Sequence, residues 1–269
     1  ENIEIPSTIK NIANRRINSL DKEQKKVLMY ASIIGNEFDF ELLEYVTKID
    51  VIDLLDIIDE LIDKGIIVEK ENTTDEIYKF NHVQTRTAVY DDMGRSRKRI
   101  MHARVAEGIE TTYSDRLGEY YYDLSRHYFK GKDYEKSYDY SLKAGEQSIS
   151  ALAIATAIDY YERALKSLEK MSDIENKKQK KLDLLKTIGE QSFEINKWNK
   201  SKDMWEKVLS ISKELDDKKT EIDSLIKIGT IHKEFNEYEE STEILEDALS
   251  ISENVDYNFG ITKSNLLLG

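Results

Sequence analysis

Three stretches set forty residues apart constrain this chain more than any other feature. "KLDLLKTIG" ends at Gly189, "EIDSLIKIG" at Gly229 and "ITKSNLLLG" at Gly269. Between the first two, apolar residues recur at helical spacing, with Leu182, Leu185, Ile188 and Phe193 on one segment and Trp205, Val208, Leu209 and Ile211 on the next. The segment Asn196 to Asn199 reads as the turn between them, with Trp198 in it. The following forty residues repeat the plan: Ile222, Leu225, Ile228 and Phe235, a turn at Asn236, then Ile244, Leu245, Ala248 and Leu249. Gly189 and Gly229 fall inside the first helices, and Ser201 and Ser241 inside the second. A glycine there costs about 1 kcal/mol relative to alanine. Its recurrence predicts that two helix backbones approach closely at that point. Helix pairs at a fixed period imply a solenoid, in which each unit buries its apolar face on its neighbours.

From about residue 115 onward the chain resembles the tetratricopeptide repeat, in a forty-residue form. The matching positions are Gly229, His232, Tyr238, Ser241 and Ala248-Leu249, and before them Gly189, Ser192, Trp198, Ser201 and Val208-Leu209. A looser unit places Ser125, Tyr128, Tyr134, Ser137 and Ala144 there, and Ala157, Tyr161 and Ala164-Leu165 follow only 20 residues later. That short step predicts a shared or irregular helix. The resemblance implies a groove lined by the first helix of each pair. Its positions here are Asp183, Lys186, Glu190, Phe193 and Glu194, then Asp223, Ile226, Thr230, Lys233 and Glu234. Some members clamp a terminal carboxylate with Lys and Asn, where this chain has Lys186 and Glu190, and Glu190 repels such a ligand. A mixed acidic and apolar groove suits a basic or amphipathic protein or peptide segment.

The first hundred residues follow another rule. "DKEQKKVLMYASIIG" reads as a helix N-capped by Asp21, "FDFELLEYVTKI" as a second, and "VIDLLDIIDELIDKG" as a third ended by Gly65. Two short strands around a turn at Asn72 to Asp75 come next. Three helices plus a β-hairpin is the order of a winged helix. The third helix carries Asp50, Asp53, Asp56, Asp59, Glu60 and Asp63 against a single Lys64, which opposes a DNA-reading role. A basic cluster, Arg95, Arg97, Lys98, Arg99 and Arg104, follows it. It reads as a solvated face paired with nearby acids, or as a docking site for an acidic domain or a phosphate.

Two further blocks resemble the segment after the nucleotide-binding domain in STAND-class signalling ATPases. One comprises Pro6, Arg16, Leu20, Leu28, Ala31, Ser32, Ile34-Gly35 and Phe38; the other is "YKFNHVQTRTAVYDDM". The resemblance implies a winged helix followed by tetratricopeptide repeats behind an ATPase core. It also implies that His82 contacts the phosphates of bound ADP in the longer protein. The familiar motif has Asp after this histidine, where the chain has Val83. No G-x-x-x-x-G-K-[ST] is present, so no cofactor is expected on this segment itself, and ATP or ADP would belong to a domain before Glu1. The absent initiator Met and the half unit at Gly269 fit a piece of a longer protein.

The expected fold is therefore mainly α. A winged-helix domain at 1–104, with an N-terminal linker helix and a basic connecting helix, precedes a solenoid at 105–269 whose last repeat starts near 257. The expected role is a non-catalytic regulatory and protein-binding one, with the ATPase domain of the same protein among the candidate partners. A DNA-binding regulator and a free-standing scaffold are the alternatives. Net charge −13 argues against nucleic acid and anionic lipid. No apolar run reaches the roughly 20 residues that span a bilayer. The lack of cysteine excludes disulfides and thiolate metal sites and fits a cytoplasmic setting. The histidines, His82, His102, His127 and His232, are far apart in sequence and form no metal-ligand pair by spacing. No nucleophile elbow or paired acid–base motif appears either, so no catalytic residue is expected.

Overall fold

The computed structural model describes residues 17, 19–71, 76–172 and 175–269. Pro6, Arg16, the expected linker helix and the expected turn at Asn72 to Asp75 lie outside the described residues. The chain forms two compact units, residues 1–137 and 138–269, and is mainly helical. The sequence-based boundary at 104/105 falls within the last long helix of the first unit's core.

In the first unit, helix α1 (Lys22–Ile34) starts where Asp21 accepts from the Glu23 and Gln24 backbone N–H groups, both at 2.8 Å. Gln24 completes a capping box by accepting from the Asp21 N–H at 3.2 Å. Its amide also donates to Glu60 on α3 (Val51–Asp63), so one side chain starts one helix and ties it to another. Helix α3 buries Leu54, Ile57, Ile58 and Leu61 while its five carboxylates and that of its N-cap Asp50 stay exposed. It stops at Gly65, whose φ of 63° is left-handed, and the Ile66 N–H closes on Leu61 O at 3.0 Å.

The sequence-based second helix begins two residues too early. Glu37–Asp39 is instead strand β1, and helix α2 (Phe40–Thr47) starts only after it. Asp39 explains the difference, because its carboxylate caps the Leu42 N–H at 2.8 Å, leaving Phe38 outside the helix. Phe38 lies buried against Tyr78 and Phe80. β1, β2 (Ile67–Glu69) and β3 (Ile77–Phe80) form an antiparallel sheet in the order β1-β3-β2.

Helix α4 (Val83–Asp92) follows the sheet, and α5 (Arg95–Thr112) packs on α1 and α2. A Cβ on Gly108 of α5 would lie 2.9 Å from both Leu42 and Tyr45 of α2, so the two helices meet at the bare glycine. Beyond α5, the Tyr113 hydroxyl donates to Asp39, the residue that already caps α2. Helix α6 (Tyr121–Gly131) packs on α5. α5, expected as a connector, is thus a core element of this unit.

Helix α7 (Tyr134–Ser150) carries the chain onward. The second unit continues with α8 (Ile154–Lys170), α9 (Lys177–Glu194), α10 (Trp198–Glu214), α11 (Lys218–Glu234), α12 (Tyr238–Asn254) and α13 (Asn258–Leu268). Its turns are built alike. Leu152, Asn196, Asp216, Asn236 and Asp256 are left-handed, and the next residue's N–H bonds the carbonyl five positions back at 2.8–2.9 Å. This is the Schellman stop, which satisfies the orphan carbonyls at a helix end. The turns recur every 20 residues except between Leu152 and Asn196, 44 apart, where the α8–α9 connection is longer. Trp198, expected in a turn, is the first residue of α10 and packs edge-on against Phe235 at 6.1 Å.

The recurring glycine has a sharper cause than backbone approach. A Cβ on Gly189 would stand 2.8 Å from the Trp205 ring, and one on Gly229 2.8 Å from Leu245. The serine twelve residues on then donates to the glycine carbonyl, Ser201 to Gly189 at 2.7 Å and Ser241 to Gly229 at 2.8 Å. Glycine admits a large side chain, and serine locks the second helix beside it.

Candidate functional site

The residues expected to line a groove lie on α9 and α11, and neighbouring first helices are joined through them. Lys186 donates to Thr220 at 2.9 Å, Tyr257 donates to Asp223 at 3.2 Å, and Lys233 reaches the Leu267 carbonyl. Each link spans 34 residues, so successive first helices lie side by side. Burial raises the Asp223 pKa, against the opposing hydrogen bond from Tyr257 and the charge of Lys186. Thr220 and Tyr257 were absent from the sequence-based set. Their signal was available only once adjacent first helices are known to touch.

The remaining positions divide clearly. Asp183, Glu190, Glu194 and Glu234 are exposed. Phe193 is half-buried against the core, and the Thr230 hydroxyl is turned back onto the Ile226 carbonyl of its own helix at 2.8 Å. Ile226 is 6% exposed and packs in a cluster with Leu245 and Ala248, so it is a core residue and not part of an open groove.

His82 stands apart, in the first unit. It is exposed at the N-cap of α4, and its side chain makes no capping hydrogen bond. Asn81 before it is held by its N–H on Ile66 O at 3.0 Å and its amide on Gly65 O at 3.1 Å. The backbone at this corner is therefore fixed while the imidazole and Val83 face solvent.

The basic cluster occupies the first turns of α5. Arg97 lies against Met29 Sδ, Lys98 over the Tyr90 ring, and Arg104 against the Tyr30 hydroxyl. The expected acid partners are missing: among the described residues no carboxylate pairs with Arg95, Arg97, Lys98, Arg99 or Arg104. Two histidines far apart in sequence are nevertheless brought together beneath this cluster. His102 and His127, both buried, approach Nδ1 to Nδ1 at 2.9 Å. Burial, with Lys130 and Arg126 nearby, pushes the His102 pKa down to about 3, and burial with Arg126 holds His127 well below its ordinary value.

No known protein family and no curated protein matches the chain. Among solved structures it is similar to a signal transduction ATPase with numerous domains (STAND) from Pyrococcus horikoshii that has a tetratricopeptide repeat sensor. That match is 13% identical with a TM-score of 0.42, covering 100% of this chain and 56% of the other. It is also similar to aspartyl phosphate phosphatase F from Bacillus subtilis, at 10% identity and TM-score 0.44, covering 97% of this chain and 62% of that one. A third likeness is to the apo form of RapI, at 17% identity and TM-score 0.43, covering 96% and 70%. The chain thus spans about half the length of the STAND protein it matches. Its own repeated turns and glycine–serine contacts make the second unit a tetratricopeptide-like helical repeat. No helix among the described residues is long and apolar enough to cross a membrane.

Proposed function

We propose that the chain is a non-catalytic, protein-binding part of a signal-transduction ATPase, with the helical repeat as its partner-binding or sensor arm. The observation that carries this reading is the row of linked first helices, which presents exposed Asp183, Glu190, Glu194 and Glu234 on a rigid frame. Such a surface complements a basic amphipathic segment, supplied by another protein or by the ATPase domain itself. The test is titration of a labelled basic helical peptide. Glu190→Lys combined with Glu194→Lys is expected to weaken binding about tenfold or more at low salt. Undiminished binding by the double variant would remove this face as the site.

The first unit is read as a winged helix, on its three helices and antiparallel sheet and on the sequence resemblance. Five exposed carboxylates along α3, with that of its N-cap Asp50, speak against its reading DNA. Exposed His82, at a fixed corner, suits a contact to ADP phosphates in a protein that carries the ATPase domain. In that protein His82→Ala is expected to weaken ADP binding by about 1.5–3 kcal/mol. Unchanged ADP affinity and basal activity would end this role.

A further inference from the structure

Between the end of α4, the start of α5 and the end of α6 lies a pocket of about 360 Å³ whose charged lining is all positive. Arg95, Lys98, Arg99, Lys130 and Lys132 surround it, and no carboxylate is among its lining residues. In a chain of net charge −13 this is a local reversal of sign, and it needs a physical account. A neighbouring hollow of about 430 Å³ shares Arg99 but holds Glu107, so the two differ in their internal charge balance.

The helix at this pocket begins against its own dipole. α5 has no side-chain cap at Gly94 and no acidic residue in its first turn, where Arg95, Arg97 and Lys98 stand instead. Cations at the positive end of a helix are held against its dipole. An anion seated there reverses the sign of that interaction.

The inner wall supplies a directed hydrogen-bond donor. Arg126 has only N–H groups, so its 2.9 Å contact with His127 Nε2, shared on Nη2 with Asp123 at 2.9 Å and the Ile34 carbonyl at 3.2 Å, is a donation to that ring nitrogen. The neutral His127 therefore carries its proton on Nδ1 and donates to His102 Nδ1 at 2.9 Å. His102 then carries its proton on Nε2 and donates to the Tyr90 hydroxyl oxygen at 3.1 Å. Lys130 donates to the same oxygen at 3.1 Å. Both acceptor sites of the phenol are used, and its own O–H is left as a donor with no acceptor among the described residues. Tyr90 and His102 both line the pocket. Two buried imidazoles thus relay the orientation set by Arg126 and deliver one donor to a cavity ringed by five cations.

We propose that this pocket binds a small phosphorylated anion, either free phosphate or pyrophosphate or the phosphoryl end of a monoester. Planar guanidiniums match phosphate oxygens in pairs, ammonium groups neutralise the second charge, and the Tyr90 hydroxyl serves as a neutral donor. The volume lies at the lower end of small-ligand sites, which favours a compact anion over a protein surface.

The experiment is calorimetric titration of the whole chain with inorganic phosphate, pyrophosphate and glycerol phosphate, at low and at near-physiological salt. Lys98→Ala combined with Arg99→Ala is expected to weaken the tightest of these ligands tenfold or more. Tyr90→Phe is expected to weaken it about threefold or more, reporting the hydroxyl alone. Lys207→Ala, on an exposed face of α10, serves as the control and should leave binding unchanged. Preference for pyrophosphate over glycerol phosphate assigns the site to a free polyanion, and the reverse assigns it to a monoester. Absence of binding up to about 10 mM overturns the proposal. Equal loss in the control and the pocket variants overturns it too, as does binding that ignores both Lys98 and Arg99. The double variant on the helix surface keeps the test decisive even where the tyrosine substitution disturbs folding.

Discussion

The two units of this molecule reach stability by opposite means. In the first, decisive contacts occur once: Asp39 capping α2 while accepting from Tyr113, Gln24 joining α1 to α3, and two buried imidazoles between α5 and α6. In the second, a single contact is used again and again, with glycine under a large side chain, serine on the glycine carbonyl and a left-handed turn residue. A repeat spreads its stability over equivalent joints, so the loss of one joint is local. The unrepeated unit concentrates its stability in a few polar contacts, and those are the ones a change of conditions can attack.

Acid should separate the units most strongly. His102 and His127 are neutral when folded, held so first by burial and then by Lys130, Arg126, Lys98 and Arg86 around them. Free imidazole titrates near pH 6.5, so below that value the unfolded chain takes up protons that the folded one refuses. Stability is complete above about pH 6.5 and falls progressively as the pH drops below it, because each imidazole is held neutral in the fold. Trp198 and Trp205, the chain's two tryptophans, both lie in the second unit. Between pH 6.5 and 4.5, far-ultraviolet circular dichroism should therefore lose helix while tryptophan emission holds. Coincident transitions would break the comparison.

A smaller effect sharpens it from the other side. Gly189→Ala drives a methyl group against the rigid Trp205 ring, a strain of about 1–3 kcal/mol offset by up to about 1 kcal/mol of better helix propensity. Ser201→Ala removes one buried hydrogen bond and costs about 1 kcal/mol. Because both act on the same joint, the double variant should lose less than the two together. Urea unfolding followed by tryptophan emission reads all three, and full additivity would mean that the joint is not a unit.

The repeat was open to reading because period is a long-range signal written many times: Leu182, Leu185 and Ile188 recur as Ile222, Leu225 and Ile228, and all six are buried. The three residues of β1 gave no such signal. Phe38 reads equally well as the start of a helix, and only the capping geometry of Asp39 separates the two. Of the expected groove residues, Asp183, Glu190 and Glu194 are exposed. Ile226 is not, because helical spacing alone cannot distinguish a groove position from the core beside it. The His102–His127 contact was beyond sequence reasoning, since the partners are 25 residues apart on two different helices with no shared motif.

The bond from Tyr113 back to Asp39 also bears on how the protein emerges from a ribosome. Its partners are 74 residues apart, and the bond from Arg126 to Ile34 spans 92. The first unit must therefore wait for up to 92 residues before these contacts can close. In the repeat, serine meets glycine after 12 residues and turns close after five, so each helix can dock almost as soon as it is made. The earlier of the two units is thus the one that finishes by long reach, and the later one assembles by short steps.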